Sequence, residues 1–189
     1  RNALVYPAVE EAPTGPGGET IVIVASGNFP NTLSVEWFLE HVAPQAPHAQ
    51  VKIAGNVDGA LKARNPALYE RWKHLFLGRV DDIGAIYANA GLVLLPTTEG
   101  HGLSIKAVEA LSSGAPLIAT PQAFRGMKID PRALANVTLC ENAEGFATAL
   151  EAAAIAGPAT NTMASGAARE TSDTRAFYLA NFSHDAYAE

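Results

Sequence analysis

The sequence is poor in cysteine, with Cys140 as the single one among 189 residues. One cysteine excludes a disulfide within the chain and favours a reducing compartment. It ends the apolar run 137–140, which is typical of an inert core thiol. The five histidines are scattered and have no cysteine or histidine partner at ligand spacing. We therefore expect no metal site in this sequence.

Charge and long apolar runs are also scarce. Charged residues make up 17% of the chain, the net charge is −6, and there is no basic run. A nucleic-acid-binding domain needs a basic patch for the phosphates, so nucleic acid is excluded as a partner. No apolar run approaches the length of about 20 residues that a membrane-spanning helix needs. We expect a cytoplasmic protein that contacts a membrane only through what it binds or through parts outside this sequence.

An initiator methionine is missing as well, because the chain begins at Arg1, and we expect a fragment or a processed chain. The length is enough for one α/β domain with a proper core. Residues 1–19 are rich in Pro and Gly, which indicates a linker or an edge passage. We predict one domain over residues 20–156, and a linker with a terminal helix over 157–189.

The chain contains short apolar runs that alternate with helical patterns. Runs that are apolar throughout are typical of parallel strands buried on both faces. Such runs lie at 20–25, 50–54, 75–77, 92–95, 117–119 and 137–140. Helical patterns occupy 33–43, 67–74, 81–87, 105–113, 143–155 and 174–189. Residues 26–32 and 57–66 have no helical pattern, and we expect a turn at 26–32 and a polar stretch at 57–66. This alternation predicts a doubly wound, mostly parallel, six-stranded Rossmann-like sheet whose polar, glycine-bearing loops converge on one edge.

Residues 91–120 carry the most informative pattern, a strand, a loop, a helix and a second strand. Gly100 and Gly102 let the loop backbone approach a ligand closely. Ser104 is placed to cap the helix, whose amino end offers N–H groups and partial positive charge to an anion. Lys106 and Glu109 share one helix face, with Lys106 suited to phosphate and Glu109 to ribose hydroxyls. The pattern predicts a nucleoside diphosphate site, and spacing alone leaves open an exposed ion pair on a solvated helix.

Three segments, taken in order, resemble a known family. The first contains Pro30–Asn31, 37–39 and 42–44; the second contains 77–82, Tyr87 and Ala90; the third contains Pro96, 100–102, 105–106, 109–110, 114–116 and Thr120, continued by 124–126. Together they resemble the carboxyl-terminal, donor-binding domain of GT-B glycosyltransferases of family 4, group 1. The resemblance covers about residues 18–128, and it weakens towards 189.

The resemblance implies transfer of a sugar from a UDP-, GDP- or ADP-sugar to a glycan or lipid-linked acceptor, as in polysaccharide biosynthesis. It implies a hexosyltransferase that retains the anomeric configuration and requires neither a metal nor a cofactor. The acceptor site would belong to an amino-terminal domain outside this sequence, in an enzyme at the inner face of the membrane or in the cytoplasm. We therefore expect the chain alone to bind donor weakly and to be inactive.

The resemblance also assigns donor-binding roles, but no certain catalytic residue in this half. Glu109 matches the glutamate that binds the ribose, and Lys106 matches a lysine near the diphosphate. Val80 matches the turn against the base, and Gly27 and Asn28 lie in the loop that faces the phosphates. The remaining donor-binding candidates are the consecutive loop residues Glu99, Gly100, His101, Gly102, Leu103 and Ser104.

The sequence departs from the family pattern at several places. His101 stands eight residues before Glu109, where the family has a second glutamate. The basic residues often found at Ser104 and after the first strand are absent. We consider Glu99 a candidate for the donor sugar and His101 for sugar or phosphate, with an exposed loop residue as the alternative for His101. Arg125 is either a phosphate ligand or a surface residue.

Other classes of protein remain open or are excluded. A nucleotide-sugar epimerase of GT-B architecture and a degenerate, non-catalytic donor-like binding module both fit the fold. A dehydrogenase needs G-x-G-x-x-G after the first strand, and residues 26–32 do not supply it. A phosphoacceptor receiver domain needs an acidic pair there, which is also absent.

Overall fold

The computed structural model describes residues 18–157, 166–183 and 186. Its strands are β1 Thr20–Val24, β2 Val51–Ala54, β3 Phe76–Gly78, β4 Ala90–Leu95, β5 Leu117–Ala119 and β6 Val137–Leu139. They form one sheet in the order β3-β2-β1-β4-β5-β6, and every pairing is parallel. The predicted six-stranded, doubly wound sheet is confirmed.

Helices cover both faces of the sheet. They are α1 Phe29–Trp37, α2 Val57–Arg64, α3 Pro66–Trp72, α4 Ile83–Ala88, α5 Ile105–Ser112, α6 Ala143–Ala156, α7 Gly166–Glu170 and α8 Asp173–Asn181. One apolar cluster packs α1, α2, α3 and α6 against the sheet, and a second packs α4, α5 and α8 against the other face. All six residues of β4 are buried, which explains why its sequence contains no polar side chain.

The first helix begins earlier than predicted, so the expected turn at residues 26–32 is wrong in its second half. Asn28 caps α1, because its Oδ1 accepts a hydrogen bond from the Asn31 amide at 3.0 Å. Pro30 lies in the first turn, where a helix tolerates the missing N–H. After Trp37 the chain continues as a π-helical turn, Phe38–Val42, and a 3-10 turn, Ala43–Gln45.

The polar stretch predicted at residues 57–66 is also wrong, because it contains α2. Val57 and Leu61 are fully buried. They lie one turn apart on the same face, which is the contact that holds this short helix against the core. The two apolar positions among polar neighbours are too few to show a helical period in the sequence.

The carboxyl-terminal helices join the second apolar cluster through Tyr178. The predicted terminal helix at 174–189 is shorter in the structure and forms α8. Residues 1–17, 158–165, 184–185 and 187–189 lie outside the described residues, and so do the parts of the two predicted linkers that fall there. Of the helices bounded above, none is long and apolar enough to cross a membrane.

Candidate functional site

The strand order places a topological switch point between β1 and β4. The chain winds from β1 towards β3 in one direction, returns to β4 beside β1, and then continues in the other direction. The loops that leave the carboxyl ends of β1 and β4 therefore diverge and open a crevice between them. Gly27 and Asn28 lie on one side of this crevice, and the loop 96–104 lies on the other.

Hydrogen bonds connect the loops at this edge. The Gly27 amide donates to Asn56 Oδ1 at 2.8 Å, and the Thr98 amide donates to Ser34 Oγ at 3.2 Å. Further along the edge, Gln122 Nε2 donates to the Gly100 carbonyl at 3.2 Å. The expected convergence of the loops is confirmed, and the Gly27 N–H is already engaged by Asn56.

Two glycines shape the loop after β4, as the sequence predicts. Gly100 has φ +135° and Gly102 has φ +64°, angles that residues with a Cβ rarely adopt. The Arg125 guanidinium packs directly on Gly100, so that a Cβ built there would lie 2.6 Å from Nη2. The loop is therefore held from behind by the segment that follows β5.

Only part of the hydrogen-bonding capacity of the Arg125 guanidinium is used in this position. Its Nη1 donates to the Gln122 carbonyl at 3.2 Å, while its Nε is buried and has no hydrogen-bond partner among the described residues. Burial lowers the pKa of Arg125 from its ordinary value. A cation with an unpaired N–H beside a glycine loop is suited to an anionic ligand.

The amino end of α5 is open to a ligand. Ser104 is the N-cap residue of α5, as predicted, and has the extended backbone of that position, but its side chain makes no capping hydrogen bond. Its hydroxyl reaches none of the first-turn amides. Side chains do cap α1, α3, α4, α6 and α8. The first-turn N–H groups of α5 therefore retain their capacity to bind an anion.

Lys106 and Glu109 form an ion pair of 2.8 Å between Nζ and Oε2. Their side chains are 27% and 23% exposed, so the pair is partly buried and not a solvated surface pair. The Tyr87 hydroxyl, on α4, donates to the same Oε2 at 3.2 Å. A carboxylate held on one oxygen by two donors presents its other oxygen to a ligand.

Sequence reasoning missed Tyr87 as a member of the site. Tyr87 is 1% exposed. Its burial, the negative charge of Glu109 and the hydrogen bond to Glu109 together raise the pKa of Tyr87 well above its ordinary value. The feature of the sequence that could have identified Tyr87 is its hydroxyl, because a tyrosine at a core position of a short helix needs a polar partner.

The other predicted residues are distributed around the same edge. Glu99 and His101 are exposed on the loop, whereas Leu103 and Val80 are partly buried against the second apolar cluster. Asn28 is engaged in capping α1. The structure thus groups the predicted residues of 99–109 on one loop and helix, and it places Gly27 and Asn28 across the crevice.

A separate cavity of about 450 Å³ lies at the opposite edge, beside the amino end of β2. Phe38, Trp72 and Leu150 contribute to its lining. It contains none of the predicted site residues, and we place the functional site at the switch point because the glycine loop and the open helix end lie there. Within the described ranges, no group of three or more His, Cys, Asp or Glu residues could hold a metal ion.

This doubly wound sheet, with a glycine loop and an uncapped helix at its switch point, defines a Rossmann-like α/β domain. The sequence profile of the family described as "Glycosyl transferases group 1" matches residues 20–156. The chain belongs to this family, as the resemblance implied. A comparison with curated proteins found no match in sequence.

Solved structures share the fold. HepE from Anabaena, in complex with UDP, aligns over 88% of this chain and 45% of its own, with 16% identity and a TM-score of 0.57. Sucrose-phosphate synthase from Thermosynechococcus elongatus aligns over 90% and 43%, with 23% identity and a TM-score of 0.60. The chain therefore spans less than half the length of these neighbours.

A third neighbour shows which half is matched. The C-terminal domain of LpcC, a group 1 glycosyltransferase from Francisella tularensis, aligns over 82% of this chain and 86% of its own, with 16% identity and a TM-score of 0.51. The likeness thus falls in a carboxyl-terminal domain, as the resemblance implied. At these identities the neighbours establish the fold, and residue roles need their own argument.

Proposed function

We propose that this chain is the donor-binding half of a glycosyltransferase that moves a hexose from a nucleoside diphosphate sugar to a glycan or lipid-linked acceptor, with retention of anomeric configuration. One observation carries the proposal. At the switch point, the partly buried Glu109 carboxylate stands one turn below an open helix amino end and a glycine loop. This arrangement matches the chemistry of a nucleotide, with an anion at the helix end and hydroxyls at the carboxylate.

The diphosphate would bind at the amino end of α5. The first-turn N–H groups supply donors, and Gly100 and Gly102 let the phosphates approach the backbone. Arg125 and Lys106 supply the positive charge that the loop after β1 lacks. During transfer the bond from the sugar to the diphosphate breaks and negative charge develops on the leaving phosphate, which these fixed donors would stabilise.

The rest of the donor would extend to either side of the diphosphate. The free Oε1 of Glu109 accepts hydrogen bonds from the ribose hydroxyls, and Val80 packs near the base. Glu99 and His101 are exposed on the loop, and we propose that they contact the sugar. Among the possible bases we favour uracil, because the neighbour HepE has been solved with UDP and with UDP-glucose.

The acceptor site would lie on the other half of the enzyme. The chain covers 45% of HepE, and a GT-B enzyme binds its two substrates between two such halves. We therefore infer that the chain alone binds donor and does not turn over, in an enzyme of the cytoplasm or of the inner face of the membrane when the acceptor is lipid-linked.

Titration calorimetry of the chain with UDP, GDP and ADP tests the proposal. Glu109→Gln removes the charge and one acceptor, and it should weaken the best nucleotide about tenfold, a loss of about 1.4 kcal/mol. Glu70→Gln is the matched control, because Glu70 pairs with Lys73 at the same spacing and 2.9 Å but at 57% exposure. No binding of any nucleotide at millimolar concentration, or equal loss in both variants, would contradict the proposal.

A second candidate is a donor-like binding module without catalysis, and His101 in place of a glutamate favours it. Such a module would bind nucleotide through Glu109 as the enzyme does. Transfer of sugar by the full-length protein decides between the two, and His101→Ala should lower that transfer only if His101 contacts the donor. A nucleotide-sugar epimerase of the same architecture would instead release an isomerised nucleotide sugar.

A further inference from the structure

Two side chains meet at one oxygen of Glu109, and one of them has no role in the function proposed above. The hydroxyl of Tyr87 donates to Oε2 at 3.2 Å, beside the ammonium of Lys106 at 2.8 Å. Among the described residues, no group donates to Oε1. The two donors therefore fix the carboxylate plane and leave one oxygen for a ligand.

We propose that Tyr87 is a positioning residue, which orients Glu109 so that its free oxygen faces the ribose hydroxyls of the nucleotide. This inference rests on the function proposed above. It assigns to a core tyrosine a role in nucleotide recognition that it exerts entirely through Glu109.

The two donors to Oε2 differ in rigidity. Lys106 is a long, partly exposed side chain that can turn towards a diphosphate when one binds. Tyr87 cannot turn towards the diphosphate in the same way, because its ring is 1% exposed and packed in the second apolar cluster. When Lys106 turns away, Tyr87 is the donor that keeps the carboxylate in place.

The backbone of Tyr87 is fixed as well. Arg169 Nη1 donates to the carbonyls of Tyr87 and Ala88 at 3.2 and 3.1 Å, and Arg169 Nη2 donates to the carbonyl of Ala90. Arg169 is 1% exposed, so these contacts are shielded from water. The raised pKa of Tyr87 keeps its hydroxyl protonated, and therefore a donor, throughout the neutral range.

Tyr87→Phe removes the hydroxyl and leaves the ring in the core. We would measure the affinity of the chain and this variant for UDP and for 2′,3′-dideoxy-UDP, which lacks both ribose hydroxyls. The wild-type chain should prefer UDP by at least about fivefold, the worth of about one hydrogen bond. In Tyr87→Phe that ratio should fall towards one, while the affinity for the dideoxy nucleotide stays within about twofold.

The comparison separates positioning from folding. If Tyr87→Phe weakens both nucleotides equally, or leaves the ratio unchanged, the inference is overturned. Tyr69→Phe, a partly buried tyrosine of α3, serves as the control and should leave the ratio unchanged. If the wild-type chain itself does not distinguish the two nucleotides, the ribose contact fails, and it is the proposed function that is overturned.

Discussion

At the scale of the residue, Gly100 combines a demanding backbone angle with a close neighbour. Its φ of +135° disfavours any side chain, and a methyl group would displace the Arg125 guanidinium. We predict that Gly100→Ala lowers the free energy of unfolding by about 3 kcal/mol and weakens nucleotide binding. Gly102→Ala, at φ +64° with open space around it, should cost about 1–2 kcal/mol.

Gly59 is the matched control for this pair, because it lies inside α2 with open space around it and no positive φ. Gly59→Ala should stabilise the chain by about 0.5–1 kcal/mol, since alanine is the better helix former. Urea unfolding of the three variants measures these values. Equal costs for Gly100→Ala and Gly59→Ala would show that the loop does not require glycine at residue 100.

The raised pKa of Tyr87 predicts how the free energy of unfolding depends on pH in the alkaline range. Its pKa is raised in the folded chain, whereas the unfolded chain has the ordinary value of about 10. Between these values the folded chain binds more protons, so the free energy of unfolding falls as pH rises above about 10. Below about pH 10, the contribution of Tyr87 to the free energy of unfolding is fully present.

In Tyr87→Phe, the part of the fall in the free energy of unfolding that comes from Tyr87 should be absent at alkaline pH. Urea unfolding from about pH 8 to about pH 11 compares the two chains. The groups that face Tyr87 are Glu109, Lys106 and, through its backbone, Arg169. The exposed Lys73, whose pKa is also raised by its hydrogen bond to Glu70, contributes equally to both chains. Parallel pH curves for the two chains would contradict the prediction.

The site was predictable from the sequence only where its residues are neighbours in the chain. Lys106 and Glu109 lie three residues apart, so helical geometry alone brings them together. Tyr87 reaches Glu109 across 22 residues, and Gln122 reaches Gly100 across the same separation. These contacts depend on the packing of α4 and of the turn after β5 against the loop, which local patterns do not encode.

At the scale of the element, two buried arginines donate hydrogen bonds to the carboxyl ends of α4 and α5, the helices that contain Tyr87 and Glu109. Arg169 donates to the last carbonyls of α4, and Arg175 Nη1 donates to the Ser112 carbonyl at the end of α5 at 2.7 Å. A helix end offers unpaired carbonyls and partial negative charge, and both are satisfied by these cations. The short helix α7 and α8 therefore support the two helices that present Tyr87 and Glu109.

We predict that Arg169→Ala lowers the free energy of unfolding by about 3 kcal/mol, because it removes the donors that Arg169 provides to the carbonyls of Tyr87, Ala88 and Ala90. Arg132→Ala is the control, since Arg132 pairs with Glu141 on the surface at 64% exposure and should change stability by less than about 1 kcal/mol. Chemical denaturation of both variants measures the difference. A loss for Arg169→Ala no larger than that of the control would show that the arginine does not support α4.

The elements themselves were largely predictable. Each strand lies within two residues of its apolar run. The reason is clearest for β4 and β5, which are buried at every position and therefore need apolar residues throughout. The short helix α2 was not predictable, because only Val57 and Leu61 reach the core. The start of α1 was missed because Pro30 suggested a turn, whereas a proline in the first turn is compatible with a helix.

At the scale of the whole molecule, the chain forms one sheet with two apolar clusters, and the carboxyl-terminal helices complete the second cluster through Tyr178. The alternation of strands and helices predicted a doubly wound, mostly parallel sheet of six strands, and it did not predict the order of the strands. It did not predict that α8 packs on α5, because that contact joins distant parts of the chain.

A chain that ends at Gly157 should therefore be less stable and should not bind nucleotide. It lacks Arg169, Arg175 and Tyr178, which contact α4, α5 and the second apolar cluster. We predict a lower and broader thermal transition by circular dichroism, and loss of nucleotide binding. An unchanged transition would show that residues 20–156 fold independently of the terminal helices.

We predict that a nucleoside diphosphate binds at the switch point between β1 and β4. The most direct test is a titration of the isotope-labelled chain with UDP, followed by NMR of the backbone amides. We predict shifts in the amides of 99–109 and 26–28, and in Glu109→Gln the same shifts should need about tenfold more UDP. Shifts confined to the cavity at the amino end of β2, around Trp72 and Leu150, would contradict it.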